Sequence, residues 1–238
     1  MTTTIPKALI LSSTVASSHV GASAASFCLQ RLGVDTVVLP TTLMGRHPGW
    51  GKPGGGAVET DFLRDIWAGI KAQGIKFDAV LTGYMGQSDH IPLGLDIIDH
   101  VRTANPKAII AVDPVMGDHG HLYIPEERAA LIIEGLIPKA DFITPNLWER
   151  DYIRERLDSL PASLVTSVPD EDNIGATWQD RHDHWQVSHA KFDNVPHGGG
   201  DSLASVQTAL RVGSYRDSYA QSALVRVAQR GANALKRR

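Results

Sequence analysis

Short β-branched and apolar runs alternate along this chain with longer stretches of helical period. That alternation is the sequence form of βαβ units stacked into a mostly parallel sheet. Strands are predicted at residues 7–13, 35–40, 77–83, 108–114, 141–146 and 163–168, with helices at 21–32, 58–73, 90–104, 126–137 and 147–157. In the fourth helix Ala129, Ile132, Ile133 and Leu136 fall at the i, i+3, i+4, i+7 spacing of a face lying on a sheet. After residue 168 the pattern changes: residues 173–178 and 183–189 flank "QDRHD" and read as an antiparallel hairpin at a sheet edge. Two helices, about 200–213 and 216–236, are expected to close the chain, and the glycine-rich tract 49–56 is expected to be a flexible loop. The expected class is a three-layer α/β sandwich, helices on both faces, formed by residues 1–238 as one domain.

Charge and cysteine content narrow the function. Lys and Arg total 23 against 26 Asp and Glu, a net charge of -3, which gives no polyanion-binding surface. A small-molecule substrate is expected, with no nucleic acid. Cys28 is the only cysteine, so neither an intrachain disulfide nor a thiolate zinc site is available, which is compatible with a reducing compartment. The apolar run near the amino terminus is too short for a signal-peptide core, and no stretch approaches the roughly 18 apolar residues of a membrane span. A soluble, cytoplasmic protein without membrane contact is expected.

In open α/β sheets ligands bind at the carboxyl ends of the strands, so the polar residues there matter most. They are Ser12 and Ser13, Thr82 and Tyr84, Asp113 with Asp118, Thr144 with Asn146, and Thr166 with Ser167. A further candidate is "GGGD", residues 198–201, directly before a helix. A helix N-terminus attracts anions, and glycines let the backbone approach a phosphate, so the run reads as an anion cradle. Asp201 there is either a general base for an attacking hydroxyl or an ordinary N-cap. The run is neither a P-loop nor a dinucleotide fingerprint.

"VDPVMGD" places Asp113 and Asp118 across a Pro and a Gly, an arrangement suited to hydrated Mg²⁺ on nucleotide phosphates or to a plain solvated turn. In "ITPNLWE", Asn146 and Glu149 have the spacing of a capping box, and both also suit metal-bound water. The ten histidines show no i, i+4 zinc pairing, and Ser13 and Ser17 lack a nucleophile-elbow pattern.

Taken in order, "VGASAASFCLQRLG" (20–33), "LTGYMG" (81–86), "DPVMGDHGHLYIP" (113–125), "ITPNLWE" (143–149), "VTS" (165–167) and "GGGD" (198–201) resemble the pyridoxal kinases of the ribokinase-like superfamily. The resemblance covers most of the chain. It implies ATP-dependent phosphorylation of the 5′-hydroxymethyl of pyridoxal, and of pyridoxine or pyridoxamine, with Mg²⁺, often K⁺ or Na⁺, and a homodimer. By the same resemblance Asp201 is the base, and Gly198, Gly199 and Gly200 form the anion hole. Ser13, His47 and Tyr84 fall on substrate positions, His47 in a substrate lid. Asp113, Thr144, Asn146, Thr166 and Ser167 fall on phosphate and nucleotide positions, Asp118 and Glu149 on metal positions, and Lys52 is a looser match to a phosphate contact.

The chain departs from the family at three places. Gly199 stands where Thr is usual, Pro48 and Ser18 replace a usual threonine and glycine, and the stretch from Asp151 to Ser163 is too short for the helix and strand lead-in of relatives. A hydroxymethylpyrimidine kinase and a catalytically impaired binding relative are the competing readings. Asp201 in place of the former's usual Cys favours the pyridoxal side.

Overall fold

The computed structural model of the chain describes residues 5–192 and 197–213, so the expected helix over 216–236 lies outside the described residues. In chain order the elements are β1 (Lys7–Val15), α1 (Ala22–Arg31), β2 (Asp35–Met44), β3 (Gly55–Ala57), α2 (Thr60–Ala72), β4 (Ala79–Thr82) and α3 (His90–Ala104). Then follow β5 (Ile109–Val112), β6 (Gly117–Asp118), β7 (His121–Leu122), α4 (Glu126–Leu131), β8 (Phe142–Ile143) and α5 (Leu147–Arg154). The described chain ends with β9 (Ala162–Asp170), β10 (Asn173–Gln179), β11 (His184–Ala190) and α6 (Gly199–Val212).

Nine strands form one sheet in the order β11-β10-β9-β8-β5-β4-β1-β2-β3. From β9 to β2 every neighbouring pair is parallel; β2–β3, β9–β10 and β10–β11 are antiparallel. The continuous apolar run Ala8–Leu11 suits a central strand covered on both faces, and all four residues are buried. On one face Ile10, Leu81, Phe142, Leu164 and Trp178 pack under α1 and α6. On the other, Leu9, Val80, Ile110 and Ile143 pack under α2, α3, α4 and the buried Ile153 of α5. The expected three-layer arrangement and the edge hairpin are both present.

Strand β1 has β2 on one side and β4 on the other, which makes the β1/β4 boundary the point where strand order reverses. The ends of β1, β4, β5 and β8 therefore open on one crevice.

Three local expectations are corrected. The tract 49–56 is not an unstructured loop: a 3₁₀ turn spans Pro48–Trp50, and β3 pairs antiparallel with β2 through Thr42↔Ala57 and Met44↔Gly55. The helix expected over 126–137 keeps its buried face, but after Leu131 it widens into a π turn (Ile132–Leu136) and ends as a 3₁₀ turn (Ile137–Lys139). Pro138 supplies the reason, since it has no N–H for the carbonyl of Glu134 and its ring crowds that group. Helix α5 stops at Arg154, short of the expected 157.

Residues 155–161 then run directly into β9. They leave an open cleft of about 1050 Å³ between α5 and the β9–β10 face, lined by Arg150, Arg154, Leu160, Val165, Thr177 and Asp180 among others. Two of its three acids are already engaged, Asp141 by Arg102 and Asp180 by Arg211 and the backbone of His182 and Asp183, which among the described residues leaves Asp158 alone there. The crevice at the strand ends, not this cleft, is where unpaired acids converge.

Candidate active site

Asp113 follows β5 and Asp201 sits in the first turn of α6, yet both line one small cavity with Ser12, Thr82 and Gly83. Ser12 and Thr82 are buried, and their hydroxyl oxygens have no hydrogen-bond partner among the described residues. Unpaired buried hydroxyls beside two carboxylates mark a place prepared for a polar ligand. Burial pushes the Asp113 carboxyl well above its usual range. The charges of Asp201 and Glu149 push it further, while the Thr144 hydroxyl acts in the opposite direction. Asp201 is also raised by burial, partly offset by hydrogen bonds from the N–H of Gly21 and from its own N–H.

Register removes the N-cap reading of Asp201. Gly198, not Asp201, is the N-cap of α6, and Asp201 is the helix's third residue, with its carboxylate held by Gly21 at the end of the β1–α1 connection. The three glycines are not equivalent. Gly198 has φ 102, and a Cβ there would stand 2.3 Å from the His19 carbonyl oxygen, whereas Gly199 and Gly200 face open space. The first N–H groups of a helix have no partner within it, so this turn presents its amides to the crevice.

Gly198→Ala is accordingly expected to cost about 1–3 kcal/mol from strain, and more from the clash. Gly199→Ala should stay within about 0.5 kcal/mol of the parent. Thermal melts of the two variants check the contrast.

Glu149 is 2% exposed, and Asn146 forms with it the capping box read from the spacing. Glu149 Oε1 accepts from the N–H of Met116 (2.6 Å) and Gly117 (3.3 Å), and Oε2 accepts from Asn146 N–H (2.9 Å). Asn146 Oδ1 accepts from Glu149 N–H, and its Nδ2 donates to the Gly117 carbonyl at 2.8 Å. Both side chains thus bind the turn carrying Asp118 to the start of α5. Burial raises the Glu149 carboxyl to about 7, against the pull of those three backbone donors.

Asp118 adds negative charge beside Glu149, and its own carboxylate accepts from His119 N–H. Neither Asp113 nor Glu149 has a basic partner among the described residues. This crowding of like charge fits a divalent cation. Among the described residues no three acidic, histidine or cysteine side chains form a bare-ion cage, but Mg²⁺ characteristically uses one or two carboxylates with phosphate oxygens and water.

The remaining predicted residues divide. Ser13 is buried at a register shift in β1, and its carbonyl closely faces Gly21, the residue that holds Asp201. Thr144 is buried at the end of β8, beside Asp113. Thr166 pairs with Asn146 in an isolated parallel bridge, its N–H donating to Pro145, and Ser167 beside it is exposed with φ 58. Tyr84 is half-buried against the core, its carbonyl accepting from Thr41 Oγ1. His47 caps the 3₁₀ turn by accepting from Gly49 N–H. The Lys52 side chain is exposed, and its carbonyl accepts from Arg46.

Sequence reasoning gave no role to Gly21 or His197. His197 stacks on His47 with ring centroids 4.2 Å apart. Gly21 falls inside the quoted stretch 20–33, but that stretch does not single it out, and each of the two residues makes its contact with a partner distant in sequence.

No family model matches the sequence. Pyridoxal kinase PdxY of Leifsonia xyli subsp. xyli is 33% identical over 241 residues, covering 92% of this chain and 84% of that protein. Pyridoxal kinase PdxY of Corynebacterium diphtheriae is 32% identical, with 92% and 85% covered. Among solved structures, a Bacteroides thetaiotaomicron protein described as a phosphomethylpyrimidine kinase, in a crystal form with pyridoxal, superposes with a TM-score of 0.88 at 26% identity. That match covers 97% of this chain and 88% of the other. The pyridoxal kinase of Leishmania donovani in complex with ADP has a TM-score of 0.77 at 25% identity, covering 87% and 82%. With a third of its residues shared along nearly its whole length and the same ribokinase-like fold beneath them, this chain belongs to the pyridoxal kinase family.

Proposed function

We propose that the chain transfers the γ-phosphoryl group of ATP to the 5′-hydroxymethyl of pyridoxal, with pyridoxine and pyridoxamine as further acceptors. The observation that carries this reading is the convergence of Asp201 and Asp113 on one cavity at the mouth of the α6 N-terminus. Asp201 takes the proton of the hydroxyl as its oxygen attacks the γ-phosphorus, and the bond to the departing ADP oxygen breaks. The amides of Gly198, Gly199 and Gly200 hold the transferring phosphoryl oxygens, where the positive end of the helix lowers the cost of their charge.

Asp118 and Glu149 would hold Mg²⁺ with the nucleotide phosphates, Asp113 lying at the phosphate position, and the ion's chemistry is neutralisation of phosphate charge. Because Glu149 already accepts three backbone N–H bonds, its part is mainly electrostatic. Ser13, His47 and Tyr84 bound the acceptor. Thr144, Asn146, Thr166 and Ser167 lie on the nucleotide side. A monovalent cation, K⁺ or Na⁺, homodimer assembly and a cytoplasmic location complete the reading; no described helix is long and apolar enough to cross a membrane.

Incubation with Mg-ATP and pyridoxal should release ADP and form pyridoxal 5′-phosphate, with hydroxymethylpyrimidine a markedly poorer acceptor in a parallel assay. ADP release with the pyrimidine alone would move the chain to the competing kinase. Vitamer binding without ADP release would make it a binding relative.

A further inference from the structure

Two loops distant in sequence meet through aromatic rings beside the proposed base. One follows β2 and turns at Pro48–Trp50; the other leads into α6. The rings of His47 and His197 stack 4.2 Å apart with planes 21° from parallel, and Trp50 lies tilted against them at 5.6 and 5.7 Å. A Cβ at Gly49 would stand 3.1 Å from His47 Nδ1 and 3.4 Å from His197 Nε2, so the backbone passes close to both rings. The hydrogen bonds from Gly45 and Arg46 to Pro53 and Lys52 stay within the first loop. Among the described residues, what ties its tip to the turn before α6 is therefore the ring cluster. Burial and the neighbouring His197 hold His47 below its usual pKa, a direction that favours the uncharged imidazole in the stack.

We infer that His197 is a positioning residue: its stack on His47 latches the loop after β2 to the phosphate-holding turn, so that acceptor alcohol and phosphoryl group are enclosed together. This rests on the proposed phosphoryl transfer to pyridoxal. An aromatic pair contributes enough to change an equilibrium by roughly three- to tenfold. The effect should fall mainly on the acceptor, because the ring held in the stack is His47, while Thr144, Asn146, Thr166 and Ser167 lie on other elements and the exposed Lys52 side chain of the same loop takes no part in the stack.

Steady-state kinetics and equilibrium titration with pyridoxal test it. His197→Ala is expected to raise both the KM and the dissociation constant for pyridoxal by about three- to tenfold, with little change in the KM for ATP or in Tm. His197→Phe should restore the parent values, because a phenyl ring stacks as an imidazole does. In the double variant, His47→Ala should raise the pyridoxal constants by a smaller factor than it does alone, because the stack is already lost and only the contact of His47 with the acceptor remains to be removed. An unchanged pyridoxal constant in His197→Ala, equal rises in both KM values, or failure of the Phe variant to restore affinity would overturn the latch. If the parent chain binds pyridoxal without phosphorylating it, the proposed reaction fails, and the titration still decides the latch.

Discussion

Asp201→Asn is expected to lower kcat by about 10²–10⁴-fold, the range for loss of a general base, while the protein melts at the same temperature or higher. The two halves have one cause. Burial raises the folded-state pKa of Asp201 above its ordinary value of 3.8. Between that value and the raised one, the folded chain binds more protons than the unfolded chain, so stability falls as pH rises through the window. Near neutral pH the ionised carboxylate therefore costs stability. An amide removes that cost, and its oxygen still accepts from Gly21 N–H.

Catalysis has the opposite requirement, because only the ionised group takes the proton. The acid limb of kcat/KM should lie above the usual aspartate range and vanish in the variant. Paired melts and pH–rate profiles measure both; retained turnover, or a large loss of Tm, would remove Asp201 from the role of base.

Glu149→Ala is expected to be the most destabilising single change near the site, at about 3–5 kcal/mol. It leaves the N–H groups of Met116, Gly117 and Asn146 without their acceptor, and each unsatisfied buried group costs about 1–3 kcal/mol. Glu149→Gln keeps one oxygen for Met116 and Gly117 but turns an amide donor toward Asn146 N–H, so about 1–2 kcal/mol is expected. Denaturant midpoints should follow the order parent, Gln, Ala. A near-parent Ala midpoint would mean that water or a local rearrangement satisfies these donors, and that the cap is dispensable.

The framework was readable because β1 and β5 carry apolar runs of four or more residues, and β4 and β8 shorter ones, each followed by polar residues at the strand end, as burial on both faces requires. Strand β3 escaped notice because its residues Gly55, Gly56 and Ala57 carry no apolar pattern; pairing with β2 makes it a strand. The two-residue strands β6 and β7 were too short to have a period.

At the site, the spacing of Asn146 and Glu149 was legible as a capping box, which the structure shows, whereas the two further backbone bonds to Glu149 from Met116 and Gly117 come from a turn that the spacing says nothing about. Asp201 was legible as important and ambiguous in kind. Its register within α6 excludes the cap, and its bond from Gly21 fixes where the carboxylate lies. His197 was beyond reach, since nothing in one sequence states that residues 47 and 197 share a stack.

The direct passage from α5 into β9 gives the molecule a place where it can grow. Extra residues spliced between Glu155 and Pro161 would enter open space beside β9 and β10, on a stretch that carries none of the catalytic groups. The closure entropy of a loop rises only logarithmically with its length, so even a long graft there would burden the fold lightly. A chain of this kind can thus gain or shed a whole structural layer at one seam while its chemistry stays in place.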